Sequence, residues 1–228
     1  MILAIFCLLL TIATYWAAKW VYQRKPLMFL SPLLVTPILL VAILVGTHTP
    51  YENYYSGAKW LTDMLQPATI AFAIPLYKNF AVLKKHATEV VASVLLGSIM
   101  AIVSSALFAE WFHLNTSMVD SLAPRSVTTP IAMEVSQNIG GIPSITAIFV
   151  IITGLLGTII GPVIIRRLRI KNEIARGVVL GTSAHNAGTS KAFEFSSISG
   201  TISSVCMILT ALITLFIAPF IMPLLTSI

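Results

Sequence analysis

Two short polar stretches interrupt a chain that is otherwise strongly apolar. The first runs from Arg125 through Ser126, Thr128 and Thr129 to Glu134, and the second from Gly181 through Thr182, Ser183, His185, Asn186, Thr189 and Lys191 to Glu194. Clustered hydroxyls, an amide and two cations are groups that receive an organic anion. Ser126, Thr128 and Thr129 follow Arg125 and precede the apolar Ile131 to Met133. That pattern resembles the start of a half-helix, where hydroxyls and free backbone N–H groups face a ligand. Arg125 or Lys191 would compensate a carboxylate. Glu134, Glu194 or His185 would carry a coupling proton, because a carboxylate at membrane depth must neutralise or find a partner and imidazole titrates near neutral pH.

Each of these residues also has a plainer role. A hydroxyl in a membrane helix often bonds its own backbone or a neighbouring helix. Arg125 serves equally as a headgroup anchor, and the two glutamates as helix-end residues at the interface. Lys191 stands three residues before Glu194, the spacing of an ion pair on one helix face. His185 has no second histidine or cysteine around it, so no metal site is expected. Neither a hydrolase motif nor a phosphate loop is present, and the expectation is a protein that is not an enzyme and holds no cofactor. An intramembrane enzyme built on His185 and a glutamate is the remaining catalytic alternative.

The elements that carry these stretches are membrane spans. Of the 228 residues, 57% are hydrophobic and 10% charged, and mean hydropathy is +0.93. Soluble domains carry roughly 25% charged residues, so a soluble class is excluded. Apolar segments at 1–18, 27–46, 88–109, 143–165 and 201–225 approach the ~20 residues that cross a bilayer. A sixth, 60–77, is broken by Pro67 and Pro75 and carries Asp63. The apolar run from Met1 to Ala18 has its positive residues after it, as a retained first helix does, with cleavage after Ala17-Ala18 as the alternative. Cys7 and Cys206 lie in apolar segments and read as packing residues.

Charge sets the orientation. Lys19, Arg24 and Lys25 form one cluster, Lys78, Lys84 and Lys85 a second, and Arg166, Arg167, Arg169, Lys171 and Arg176 a third. The positive-inside rule puts all three in the cytoplasm and the N-terminus outside, leaving 47–59 and 110–124 as outer loops. The net charge of +6 is therefore topogenic, and no nucleic-acid partner is expected. Parity then requires 125–142 to begin and end outside, and 174–199 to begin and end in the cytoplasm. Both are too short and too polar for two ordinary spans, so the reading is a pair of re-entrant or broken-helix hairpins entering from opposite faces. The expected fold is an all-α polytopic membrane protein with about six spans and these two hairpins, in a single domain over 1–228.

Matches at an offset of 60 residues relate the two stretches. Leu95-Leu-Gly-Ser98 answers Leu155-Leu-Gly-Thr158, and Thr129, Ala132, Glu134, Ser136 and Gly140 answer Thr189, Ala192, Glu194, Ser196 and Gly200. Related units are expected at about 88–142 and 148–202. Their flanking spans run in opposite senses, which makes an inverted repeat, an arrangement of many secondary transporters.

Four stretches carry a family resemblance: Leu65-Gln-Pro-Ala-Thr-Ile-Ala-Phe-Ala-Ile-Pro-Leu-Tyr-Lys78, Ser126-Val-Thr-Thr-Pro-Ile-Ala-Met133, Gly140-Gly-Ile-Pro-Ser144 and Gly181-Thr-Ser-Ala-His-Asn-Ala-Gly-Thr-Ser-Lys-Ala192. Together they resemble the LrgB/CidB family, from about Pro32 to the end of the chain. The resemblance implies a bacterial cytoplasmic-membrane protein of the antiholin-like kind, modulating murein hydrolase activity and lysis beside a smaller holin-like partner of the LrgA/CidA type. It also implies small organic anions as cargo: plastid relatives translocate glycolate and glycerate, and bacterial pairs are linked to pyruvate. The chain looks like the compact bacterial form. Gln66 and Asn186 depart from the family pattern, and the amide of Asn186 bears on ligand preference. Two functions stand: a proton-coupled monocarboxylate transporter, in homo-oligomeric or single-chain form, and a regulator of murein hydrolase export or activity.

Overall fold

The computed structural model describes residues 2–24, 30–64, 67, 70, 73–78 and 80–226. The described residues are almost entirely helical and form two compact units, 1–73 and 74–228. Lys25 and, within the proline-broken segment 60–77, Leu65, Gln66, Ala68, Thr69, Ala71 and Phe72 lie outside the described residues.

In the first unit, α1 (Ile2–Arg24) packs with α2 (Pro32–Gly46) and α3 (Tyr51–Asp63). The helix α3 occupies most of the segment read as an outer loop. Gly57 lets its backbone approach Ala4, where a Cβ would overlap the Ala4 carbonyl. The Thr11 and Tyr54 hydroxyls meet at 3.1 Å on the same seam. Tyrosines and an asparagine made this helix look solvated, but the approach needs only one small residue.

The second unit begins with the short helices α4 (Ala73–Lys78, whose first residue belongs to the first unit) and α5 (Phe80–Lys85). Then follow α6 (Ala87–Trp111), α7 (Thr116–Leu122), α8 (Thr129–Ile139), α9 (Pro143–Arg167), α10 (Glu173–Phe195) and α11 (Ser197–Thr226). Among the described residues, four helices are long and apolar enough to cross a bilayer, over Ala4–Arg24, Ala87–Trp111, Pro143–Arg167 and Ser197–Leu225, with a shorter apolar helix over Leu34–Gly46. Their outward faces carry large apolar side chains such as Leu96, Phe108, Ile151 and Phe216. The chain is an all-α polytopic membrane protein.

Contacts fix the directions. Val90 and Val94 pack with Ile202 and Cys206, whereas Ile102 and Ala106 pack with Ala218 and Met222, so α6 and α11 run parallel. Where α9 meets the first half of α10, Gly157 lies on Ala184 and Gly161 on Leu180, an antiparallel pairing. That half of α10 in turn follows α11, with Gly177 against Ile202 and Gly181 against Ser203. The helix α9 therefore runs opposite to α6 and α11.

Candidate functional site

Non-helical backbone angles at Ala184 (φ −138°, ψ 19°) and His185 (φ 41°, ψ −130°) break α10 in its middle. The break is a reversal. Arg176 stands with its guanidinium carbon 5.5 Å from the centre of the Phe195 ring, and Leu180 packs with Ala192. A straight helix would hold Arg176 and Phe195 about 28 Å apart. So 173–183 and 186–195 are antiparallel arms of one hairpin. Gly188 closes the turn, since a Cβ there would overlap the Leu180 carbonyl.

A second hairpin comprises α7 and α8. The helix α7 lies in the segment read as an outer loop, and the hairpin closes where the last turn of α7, at Asp120 and Ser121, meets Gly140 to Ile142, rather than near Arg125. The Asn115 side chain caps α7 by accepting from Met118 N at 3.0 Å. At the hairpin's base, Ile142 N donates to Ser121 Oγ at 2.7 Å and Thr146 Oγ1 donates to Ser136 Oγ at 2.7 Å. The turn between the arms carries Arg125, Ser126 and Val127.

The hairpins enter from opposite ends of α9. The α7–α8 hairpin has its base at Ile142, and the α10 hairpin has its own beside Ile165. Their tips meet at Val150. Val127 packs in one buried cluster with Val150, Ala132 and Ala211, and His185 Nε2–H donates to the Val150 carbonyl at 3.0 Å. That bond fixes the proton on Nε2 and leaves Nδ1 as an acceptor in the neutral ring. The ring occupies a slot opened by Gly154, where a Cβ would stand 2.9 Å from His185 Cε1. The residue's left-handed φ is a costly state for a non-glycine, held by that packing.

Beside the meeting point lies a cavity of about 450 Å³. Its walls are a small-residue face of α6 (Ser93, Gly97, Ala101 and Ser104, with Met100), the α7–α8 tip (Arg125 and Ser126), and the first arm of α10 (Val178, Val179, Thr182 and Ser183). Among the described residues of this lining, Arg125 is the cation and no carboxylate is present. Thr182 is 8% exposed, and its Oγ1 has no hydrogen-bond partner. A buried hydroxyl left unpaired costs about 1–3 kcal/mol, which a bound acceptor would relieve.

Of the residues singled out in the sequence, Arg125, Ser126, Thr182 and Ser183 share the cavity wall. Ser183 already donates to Val179 O at 2.6 Å. Thr128 caps α8 by backbone angle without a side-chain bond, and Thr129 opens that helix. Asn186 has a buried, unpartnered Oδ1 next to His185. Thr189 belongs to packing, fully buried and 3.0 Å from Ser203 Oγ. Lys191 pairs with Glu194, whose side chain is exposed, and Glu134 is exposed on α8. Neither glutamate faces the cavity. Cys7 and Cys206 are free and buried.

The α6 face was missed. Its residues recur at helical spacing, but serines and glycines at that spacing also mark plain helix packing. The element boundaries recur at a shorter interval than the sequence matches. The two ends of α6 and α9, Ala87 with Pro143 and Trp111 with Arg167, differ by 56 residues, as do the helix ends Ile139 and Phe195. That is about one helical turn short of 60. Thr129 and Thr189, or Glu134 and Glu194, thus fall roughly one turn apart relative to their elements.

In the second unit, three spanning helices and two opposed hairpins, with a cavity walled by α6 and the two hairpins, define a polytopic α-helical membrane protein. The chain belongs to the LrgB-like family, whose profile matches residues 11–224. It is 63% identical over 222 residues, 97% of this chain and 99% of the relative, to the protein "Uncharacterized protein YwbG" of Bacillus subtilis (strain 168). "Uncharacterized protein YxaC" of the same strain is 41% identical over 96% of this chain and 95% of the relative. "Holin-like protein CidB" of Staphylococcus aureus (strain N315) is 35% identical over 95% of this chain and 94% of the relative. No solved structure matches the chain. The relatives are bacterial, and the chain is a bacterial membrane protein.

Proposed function

We propose that the protein is a secondary transporter of small organic monocarboxylates such as pyruvate, lactate or glycolate, coupled to protons. One observation carries this reading: two hairpins enter from opposite ends of the bundle and meet beside a cavity holding Arg125 and the unpartnered Thr182 hydroxyl. Alternating access needs a site that each end can reach in turn, and broken segments at the middle of a bundle supply it. The guanidinium takes the carboxylate, and the Thr182 and Ser126 hydroxyls take the remaining oxygens. His185 holds the α10 tip against α9. The apolar wall of Met100, Val178 and Val179 faces the hydrocarbon part of the cargo.

Orientation follows from the basic clusters. The third cluster, from Arg166 to Arg176, stands at the base of the α10 hairpin, so that hairpin opens to the cytoplasm and the α7–α8 hairpin to the outside, with the N-terminus outside. Uptake of labelled pyruvate, lactate and glycolate into proteoliposomes tests the reading. Flux that saturates with substrate and falls on Arg125→Ala supports it. No flux above empty vesicles, with folded protein and an LrgA/CidA-type partner present, sinks it.

A second reading has its own support in the printed name of the staphylococcal relatives, "Holin-like protein CidB". In it the protein is an antiholin-like regulator of murein hydrolase export or activity, acting with a holin-like membrane partner. The comparisons favour this reading over transport, and the cavity favours transport. Co-purification with an LrgA/CidA-type protein, together with altered autolysis on deletion and no flux, would decide for regulation.

A further inference from the structure

The transport reading leaves one buried carboxyl of the second unit unused. Asp120 lies on α7, outside the four spanning helices, and is 5% exposed. The sequence placed it in an outer loop, where a carboxylate would be solvated. The structure sets it instead on the link between α8 and α9. Gly140 caps α8 with φ 101°, and a Cβ there would stand 3.3 Å from Asp120 Oδ2. A Cβ on Gly141 would stand 2.9 Å from the Asp120 carbonyl carbon and 2.8 Å from Ser121 N. The glycine pair is thus the seat on which the base of the α7–α8 hairpin rests. Beside it, Ser121 Oγ accepts from Ile142 N.

The Asp120 carboxyl has no hydrogen bond or ion pair among the described residues. No counter-ion stands on the elements packed against it. On α6 the charged groups are Glu89, paired with His86 at the far end, and Glu110, followed by the exposed His113. On α8 the charge is the exposed Glu134, and α9 carries Arg166 and Arg167 at its opposite end. No charged residue occurs on α11. Arg125 is on the tip of the same hairpin and lines the cavity. Burial of the side chain without a counter-ion raises the carboxyl from its ordinary value.

We infer that Asp120 is the proton-binding residue of this protein: protonated, it lets the α7–α8 hairpin dock on the α8–α9 link, and on ionising to water it releases the base of that hairpin. Proton occupancy at one end of the bundle would then set whether the cavity is closed toward that end. Coupling to flux rests on the transport reading, whereas protonation-dependent docking does not. Neither Glu134 nor Glu194, both exposed, is needed as the proton carrier.

The test uses the full chain in detergent, with hydrogen exchange of 116–142 and thermal unfolding followed from pH 5 to 9. A carboxyl whose folded pKa is raised contributes stability that is complete below the ordinary value of about 4 and is lost as pH rises through the folded pKa. In the wild type, protection of 116–142, corrected for intrinsic exchange, should fall by up to about tenfold per pH unit between the ordinary value of about 4 and the folded pKa, and level off above it. Asp120→Asn keeps the neutral shape and should flatten both profiles. Asp120→Ser serves the same purpose should the asparagine variant misfold. In vesicles, Asp120→Asn should lose accumulation driven by a proton gradient while keeping substrate counterflow. Parallel pH profiles in wild type and variant, pH-independent wild-type protection, or accumulation that follows a sodium gradient at fixed pH would overturn the assignment. Absence of all flux in the wild type would overturn transport and leave the docking result standing.

Discussion

At the scale of single residues, Thr182 and His185 separate binding from packing. Thr182 Oγ1 is buried without a partner, so replacing it by a methyl group removes a desolvated polar atom at nearly constant shape. Thr182→Val should therefore leave the melting temperature unchanged or raised, while KM for a transported monocarboxylate rises about tenfold, the equivalent of ~1.4 kcal/mol. A lower melting temperature with unchanged KM would make it a packing hydroxyl. His185 is tied to Gly154 by a slot with no room for a methyl group, since a Cβ on Gly154 would stand 2.9 Å from His185 Cε1 and 3.2 Å from Ala187 Cβ. Gly154→Ala should cost about 1–3 kcal/mol by overpacking. In a His185→Gly background the ring is gone and the left-handed φ is relieved, so the same alanine should cost less, with only the Ala187 contact left to resist it. Thermal unfolding of the four proteins gives the coupling. Additive effects would show that the ring does not fill the slot.

At the scale of elements, the hairpins make a directional prediction. Gln137 and Glu194 are exposed near the bases of the two hairpins, at opposite ends of α9. With Cys7 and Cys206 replaced, a cysteine at 137 should react with an impermeant maleimide added outside intact cells. A cysteine at 194 should react only in inverted vesicles. Labelling of both from one side would defeat the opposed arrangement. Opposed entry was legible in the sequence because Lys and Arg clusters fix parity, and the broken α10 was legible in its run of Gly, Ser, Thr, His and Asn. The α7 arm was not, because seven residues reading Thr-Ser-Met-Val-Asp-Ser-Leu show no apolar period and contain a charge. Val150 was not legible as the meeting point either. An apolar residue inside a uniformly apolar helix carries no signal, and its carbonyl matters only because the break at Ala184 and His185 aims a ring at it. The boundary spacing of 56 against a letter spacing of 60 has a similar origin, since residue identities can recur one turn away from the elements they help to form.

At the scale of the whole molecule, the question is whether moving a small anion and controlling lysis are one activity or two. The bundle buries little outward area: its spanning helices present Leu96, Phe108, Ile151 and Phe216 to their surroundings. That is a surface for lipid, or for the membrane partner of the regulatory reading proposed above. A regulator acting only through such a surface would not depend on Arg125, which lines the cavity between α6 and the hairpins. A regulator acting through flux would. In a strain deleted for its own LrgB-like gene, wild-type protein, Arg125→Ala and Arg125→Lys would be expressed at matched abundance. Monocarboxylate uptake and autolysis would be measured on the same cultures. The cavity geometry leads to one expectation: Arg125→Ala loses at least tenfold in uptake, about 1.4 kcal/mol or more of carboxylate pairing, and its effect on autolysis disappears in step. Arg125→Lys keeps the charge without the planar fork and should retain part of both. If Arg125→Ala lost uptake and still controlled autolysis, the exterior surface and its partner would carry the lysis function. The cavity would then serve a separate transport activity in the same bundle.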